Sequence, residues 1–312
     1  MNEPFSIVIP VYNRASMICS TLNSVKAQSY RPIRLILVDN NSVDDTLNVL
    51  TQWAAGNRDE GFQISVTRQM TPGAAAARNK GLEKVNTEYM LFFDSDDILL
   101  PGAVDAYMKA FKGPEKPELV MARSRMLDTG TGKSRLMPLR GGDRLVSHIH
   151  HATLRTQGYA AKTELFRRVG GWDEQTLIWD DWELGIRLLS ATDRIMQIPD
   201  VTCEIVVGHE SLTGLKYSDR SDLYEAPLLA AERDLHSMPK LAALMDYRRM
   251  MLAAHFAREG DVQQALKLRN EVLSRAKTKH YTRRYRLLLR LAFHYIRLGG
   301  RGFDRLLSHQ VK

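Results

Sequence analysis

The stretch Tyr89–Asp97, YMLFFDSDD, joins five consecutive apolar or aromatic residues directly to three carboxylates. A short, uninterrupted apolar run of this kind is typical of a strand that is buried on both faces of a parallel sheet. Ligands of such sheets bind beyond the carboxyl ends of the strands. The stretch therefore predicts a buried strand that ends in a polar site.

The residues before this strand repeat the same pattern. Helical patterns separate three more strand-like runs, and an alanine-rich helix over 73–85 leads into the fourth; the earlier runs are Phe5–Val11, Leu35–Val38 and Phe62–Val66. Strands that alternate with helices predict crossover connections and a mainly parallel sheet flanked by helices, which is an α/β fold. The polar clusters Tyr12-Asn13 and Asp39-Asn40-Asn41 should then meet the DSDD cluster at one edge of the sheet.

Charge divides the chain into two parts. The net charge is +8, but the residues from Lys240 onward contain 17 lysines and arginines against five acidic residues, so the part before them is slightly acidic. From about Asp222 onward the pattern is helical, and we predict an α/β domain over 1–215 followed by a basic helical region over 216–312. No run of about 18 apolar residues encodes a membrane span, and the N-terminus lacks the basic region of a signal peptide. Cys19 and Cys203 have no metal-type spacing, and we expect a cytoplasmic protein with reduced thiols.

The DSDD cluster has two interpretations. Three neighbouring carboxylates repel one another unless a cation or a hydrogen-bond network compensates them, and carboxylate oxygens suit Mg²⁺ or Mn²⁺. Alternatively, the cluster is a polar strand end that caps the next helix. Other single residues are equally open: Asp39 caps a helix or accepts hydrogen bonds from a nucleoside, Arg78 is a surface or a ligand-binding residue, and His209 lies in a loop or reaches a metal or a phosphate.

A second acidic cluster lies in Ile178–Leu184, IWDDWEL, between two tryptophans. Glu183 and Arg187 are four residues apart on the predicted helix 181–190 and should pair within it. Asp180 and Asp181 at the helix start either stabilise its N-terminus or form a site. In the second case the indoles would partly desolvate a carboxylate and raise its pKa, which makes it a usable general base.

Taken together, the motifs resemble the inverting family 2 glycosyltransferases of the GT-A fold. The resemblance covers about residues 4–215 and rests on SIVIPVYNR (6–14), LILVDNNSVDDT (35–46), GAAAARNKGL (73–82), YMLFFDSDD (89–97) and GGWDE with WDDWELGIRL (170–174 and 179–188). It implies a nucleotide-sugar-binding half over about 1–100 and an acceptor and catalytic half over about 101–215. The chain departs from the family at Asn40, where an acid is common, and at Asp180, where many relatives have Glu.

The resemblance also implies roles for single residues. Asp39 and Arg78 would hold the nucleotide base, Asp94 would contact the ribose or the sugar, and Asp96 would bind Mn²⁺ or Mg²⁺ on the diphosphate. Asp181 would be the general base, with Asp180 as its neighbour in the catalytic pair. The other residues expected at the site are Pro10, Tyr12, Asn13 and Ser95 for the nucleotide sugar, His209 for the metal, and Trp179 and Trp182 for the acceptor.

The resulting prediction is an enzyme that moves a sugar from a nucleoside diphosphate, UDP by resemblance, to a hydroxyl of a glycan or a lipid-linked acceptor. A nucleotidyltransferase and a noncatalytic sugar-nucleotide-binding relative are the alternatives. The basic residues Arg283, Arg286, Arg290, His294 and Arg297 share one face of a predicted helix. This face either lies on the anionic inner surface of a membrane or stays in solvent while the helix packs on the catalytic domain. Nucleic-acid binding is not expected.

Overall fold

A computed structural model describes residues 2–207 and 216–303, and the chain forms two compact units. The first comprises 1–140 and 153–211, and the second comprises 141–152 and 212–312. The segment 141–152, which the sequence assigned to the catalytic domain, therefore groups with the helical region. The predicted boundary at 215/216 lies at the end of a segment outside the described residues.

One sheet organises the first unit, and its strands follow the order β3-β2-β1-β4-β8-β6-β9-β5, with β7 paired to β6. β1, β2, β3 and β4 are parallel, as the sequence predicted for this half. The second half is mixed, because β8 runs antiparallel to both β4 and β6 while β6 and β9 are parallel. The strands are β1 Phe5–Val11, β2 Ile33–Asp39, β3 Phe62–Arg68, β4 Tyr89–Phe92, β5 Ile98–Leu99, β6 Leu119–Asp128, β7 Ser134–Leu136, β8 Tyr159–Lys162 and β9 Ile195–Val207.

Helices pack on this sheet and enclose an apolar core that includes Phe5, Leu35 and Leu91. The alanine-rich helix α3 packs closely because its inner face is small: a Cβ atom on Gly81 would lie 2.2 Å from Val8 Cγ1 of β1. This close contact fixes the distance between α3 and the strand ends, and so it positions the residues that α3 contributes to the site. The helices of the unit are α1 Ile18–Lys26, α2 Thr46–Asn57, α3 Ala74–Lys84, α4 Ala103–Lys112, α6 Thr163–Arg168 and α7 Asp180–Ala191.

The second unit is helical. Its long helix α9 packs against α10 and α11 through an apolar cluster that includes Tyr247, Val272 and Leu289. Arg249, which is fully buried, donates to Glu232 at 2.7 Å and ties α9 to α8. The described part of the chain contains no helix with the length and apolar character needed to cross a bilayer. The helices are α5 Arg144–His151, α8 Glu225–Asp234, α9 Pro239–Glu259, α10 Val262–Thr278 and α11 Arg283–Arg297.

Candidate active site

The loops after β1 and β2 are joined to each other at the carboxyl edge of the sheet. Asn13 adopts a left-handed backbone (φ 48°), its amide donates to Ser42 Oγ at 3.0 Å, and its Oδ1 accepts from the amide of Val43 at 2.9 Å. Pro10 is buried in β1, whereas the side chain of Tyr12 is 54% exposed. The two loops are thus hydrogen-bonded to each other, and the ring of Tyr12 beside them is accessible to solvent.

Asp39, at the end of β2, is fully buried and pairs with Arg68. Its Oδ2 lies 3.2 Å from Arg68 Nε, and its Oδ1 accepts from the amide of Ser42 at 3.3 Å. The side chain of Arg68 is 44% exposed. The expected contact between Asp39 and a nucleotide base stays a prediction.

Asn40 shapes the loop that leads into α3. Its amide nitrogen donates to the carbonyls of Gln69 and Thr71, and its Oδ1 accepts from the amide of Gly73 at 2.8 Å. A carboxylate at this position would be unable to donate either of the first two hydrogen bonds. The departure of this chain from the family pattern at Asn40 therefore has a structural reason.

Arg78 links the two acidic clusters. Its guanidinium donates to Asp94 at 2.7 Å and to Asp180 at 2.6 Å, and it stacks 4.2 Å from the ring centre of Trp172. The side chain is 7% exposed. The resemblance predicted that Arg78 holds the nucleotide base, but here its terminal nitrogens bind the two carboxylates.

The GGWDE turn is held against α3 by Asn79. The side chain of Asn79 donates to the carbonyl of Trp172 at 2.9 Å and accepts from its amide at 2.8 Å. Gly171 has a left-handed backbone (φ 71°), and a Cβ atom there would lie 2.6 Å from Asn79 Oδ1. Glycine is therefore required at this contact, which places Trp172 under the Arg78 guanidinium.

The carboxylates that follow β4 have different partners. Gln157, in a 3-10 turn before β8, donates from one amide nitrogen to both Asp94 and Asp97. Asp97 also accepts from the amide of Val206 at 2.8 Å, and burial, together with Asp94, raises its pKa to about 8. Asp97 is thus a buried link between β4 and β9. Nothing in the local sequence pattern marks Gln157 as a site residue, so it was not predicted.

Asp96 is more exposed to solvent than Asp94 and Asp97, the other carboxylates of this cluster. Its side chain is 37% exposed, its Oδ2 lies 3.5 Å from an Arg14 nitrogen, and Ser95 beside it is buried. Burial, and after it the charge of Asp94, raises the pKa of Asp96, while Arg14 opposes the shift. Such a site fits Mg²⁺ or Mn²⁺, because these ions take one or two carboxylates and complete their shell with water and substrate phosphates.

Within 2–207 and 216–303, no three His, Cys, Asp or Glu side chains come together as a complete metal site. Substrate oxygens would therefore have to supply part of the coordination shell. His209, the other predicted metal ligand, lies outside the described residues.

Asp181 lies in the first turn of α7 and is partly buried, so that part of its surface still contacts solvent. Burial, with Asp180 as the second cause, raises the pKa of Asp181 to about 7, although Arg155 and Arg78 oppose the shift. Asp180 has a separate role: its Oδ1 accepts from the amide of Asp181 at 2.9 Å, and its Oδ2 is paired with Arg78. Arg155 lies in none of the sequence motifs and was not predicted at the site.

The remaining side chains of IWDDWEL separate into structural and accessible ones. Glu183 is fully buried and pairs with Arg187, whose Nε donates at 2.6 Å, as the four-residue spacing predicted. Trp182 is also fully buried, so the prediction that it contacts the acceptor is wrong for this structure. Trp179 is half-buried, with a left-handed backbone (φ 55°) and its ring 5.5 Å from that of Trp182. The buried ring of Trp182 therefore packs against the ring of Trp179 and supports it.

Known proteins resemble this chain in sequence and in fold. The family model Glycosyl transferase family 2 matches residues 6–151. A PGL/p-HBAD biosynthesis glycosyltransferase of Mycobacterium tuberculosis is 28% identical over 190 residues, which is 60% of this chain and 70% of that protein. Among solved structures, Staphylococcus aureus TarS 1–349 in complex with UDP-GlcNAc superposes with a TM-score of 0.67 at 17% identity, over 95% of this chain and 92% of TarS.

A second solved structure is the mannosyltransferase PcManGT of Pyrobaculum calidifontis in complex with GDP-Man and Mn²⁺. It gives a TM-score of 0.53 at 18% identity and covers 94% of this chain and 86% of its own. The sequence motifs, the family match and the shared fold lead to the same assignment. Residues 6–151 match the family 2 glycosyltransferases, and the fold of the chain is GT-A-like.

Proposed function

We propose that the protein is an inverting glycosyltransferase in which Asp181 is the general base. The observation that carries the proposal is the ion-paired bridge Asp94–Arg78–Asp180, which brings the start of α7 to the carboxyl end of β4. Asp181 follows Asp180 directly, and the charge of Asp94 contributes to the raised pKa of Asp181. The base candidate therefore lies beside the cluster that would receive the donor.

The raised pKa of Asp181 suits this role. A base with a pKa near the working pH combines a useful ionised fraction with enough basicity to remove a proton in the transition state, and such a group typically contributes about 10²–10⁴-fold. Asp181 would take the proton of the acceptor hydroxyl while the acceptor oxygen bonds to the anomeric carbon. The bond from that carbon to the diphosphate oxygen breaks on the opposite face, which inverts the configuration.

Asp180 and Arg78 keep Asp181 in place for this step. Asp180 accepts from the amide of Asp181 and is ion-paired with Arg78, so it supports the position of Asp181. Asp96 would hold the divalent cation, which when bound offsets the negative charge of the departing nucleoside diphosphate. Arg14, which is paired with Asp96, would contact the same diphosphate.

We propose a UDP-sugar donor and a glycan or lipid-linked hydroxyl acceptor. The TarS complex contains UDP-GlcNAc and the PcManGT complex contains GDP-Man, so the fold accommodates either nucleotide in those proteins. The family resemblance favours UDP here. Trp179 is the aromatic surface that we propose for stacking against the acceptor sugar.

A thermal-shift panel tests the donor half of this proposal. UDP, GDP and dTDP, each with its sugar-linked form, would be added to the full chain with Mn²⁺, with Mg²⁺ or with a chelator. A ligand at about 100 times its Kd stabilises the folded state by about 2.7 kcal/mol, which is an easily measured shift. We expect metal-dependent stabilisation by uridine nucleotides and its loss in Asp96→Asn, with Asp59→Asn as a control at the exposed Asp59. No stabilisation by any nucleotide would contradict the proposal.

A further inference from the structure

Helix α11 presents three different faces. Tyr285, Leu289, Ala292, Phe293 and Ile296 are buried against the second unit. A second face is basic and contains the exposed Arg283, Arg290, His294 and Arg297. A third face is apolar but remains exposed, and we call it the leucine strip; its members are Leu287 (56% exposed), Leu291 (48%), Tyr295 (46%) and, just after the helix, Leu298 (86%).

The spacing of the leucine strip makes it continuous. Steps of three and four residues return to the same side of a helix, so Leu287, Leu291, Tyr295 and Leu298 form one row along α11. The basic face lies beside this row and not opposite to it, because the buried face occupies the remaining side. A surface that touches the leucine strip therefore also meets the arginines.

The local charge has one sign. Residues 272–303 contain nine lysines and arginines and no aspartate or glutamate. Arg275 and Lys279 are neutralised by Asp246, but the arginines of the basic face have no such carboxylate within the helix. A second copy of this chain would bring like charges together, which disfavours self-association through this surface.

We propose that the leucine strip and the basic face of α11 bind an anionic lipid bilayer, with the helix axis parallel to the membrane plane. A bilayer supplies acyl chains for the leucines and phosphate groups for the arginines at the same depth, and amphipathic helices with this division of residues lie in the interface. Leu287 and Leu291 enter the acyl boundary, while Arg283 and Arg290 bind headgroup phosphates. The proposal is independent of the catalytic assignment.

Co-sedimentation of the full chain with vesicles tests this inference. We expect binding to phosphatidylcholine vesicles that contain phosphatidylglycerol, and much weaker binding to phosphatidylcholine alone. The double variant Leu287→Ser/Leu291→Ser should bind about tenfold more weakly, since apolar surface no longer leaves water on binding. Arg283→Glu/Arg290→Glu should bind at least about thirtyfold more weakly at low salt, because each arginine contributes roughly fivefold and the introduced carboxylates are repelled by the anionic lipid.

Matched controls come from α10 of the same unit. Leu266 is 43% exposed and Lys267 is exposed, so Leu266→Ser and Lys267→Glu make similar changes on another surface and should leave binding unchanged. Each variant should keep the wild-type nucleotide-induced thermal shift, and this readout separates a failure here from a failure of the donor proposal. Absence of vesicle binding would overturn the inference. So would charge-dependent binding that the leucine variant retains in full, because that result indicates a general polyanion site.

Discussion

Replacing Arg78 by methionine should destabilise the first unit severely. Methionine keeps much of the side-chain volume but removes both ion pairs and the stacking on Trp172. Asp94 and Asp180 are 25% and 22% exposed, so each would keep a largely desolvated negative charge without a counter-ion. Removing one partner of a buried ion pair costs about 3–5 kcal/mol. For a domain of about 150–250 residues, that cost lowers Tm by roughly 6–20 °C.

The matched control is Arg168→Met. Arg168 is 42% exposed, and its partner Glu118, at 2.9 Å, also lies 3.8 Å from Arg194. Arg168→Met therefore leaves Glu118 a second counter-ion and should cost about 0–1 kcal/mol. Thermal unfolding followed by circular dichroism at pH 8 should therefore separate the two variants clearly. The loss in Arg78→Met should shrink as the pH falls, because the unpaired carboxylates take up protons in the folded state.

Partial rescue provides a second readout. Adding Asp180→Asn to Arg78→Met should restore part of the lost stability, since it removes one of the two stranded charges. If Arg78→Met unfolds at the same temperature as Arg168→Met, the Asp94–Arg78–Asp180 bridge is not present in solution, and the placement of α7 at the end of β4 loses its support.

Three further predictions concern neighbouring residues. Asp181→Asn should stabilise the protein at pH 8 but not at pH 4, as measured by urea unfolding at both pH values. The pKa of the folded Asp181 carboxyl is about 7, above the usual value of an aspartate, so Asp181 lowers the free energy of unfolding increasingly as the pH rises towards 7. Gln157→Leu should lower Tm, because Asp94 and Asp97 lose a shared donor, whereas Gln175→Leu on the exposed surface should not. Asn40→Asp should cost about 1–3 kcal/mol by urea unfolding, because a carboxylate would face two carbonyl oxygens that now accept hydrogen bonds.

The sequence was sufficient to predict the elements that local patterns encode. The apolar runs located β1 to β4, the alanine run located α3, and the four-residue spacing identified the Glu183–Arg187 pair. The order of motifs predicted the family, and the family match and the fold confirm it. These features depend on neighbours along the chain or on one family pattern.

The features that the sequence did not reveal arise from contacts between distant segments. Gln157 is 63 residues from Asp94, and only the packing of β8 against β4 brings them together. Trp182 was expected to contact the acceptor because it flanks the acids, but the helical turn directs it into the core. The antiparallel pairing of β8 was also not predicted, because the sequence of a short apolar strand does not encode its direction.

The rate of donor cleavage in Asp181→Asn tests the central claim most directly. Asparagine has nearly the same shape and cannot accept the proton, so the variant should bind the donor that stabilises the wild type with an unchanged Kd. Release of nucleoside diphosphate should fall by about 10²–10⁴-fold, and wild-type kcat/KM should rise with pH through an apparent pKa of about 7. A variant that retains its rate within about threefold while binding the donor normally would contradict Asp181 as the base.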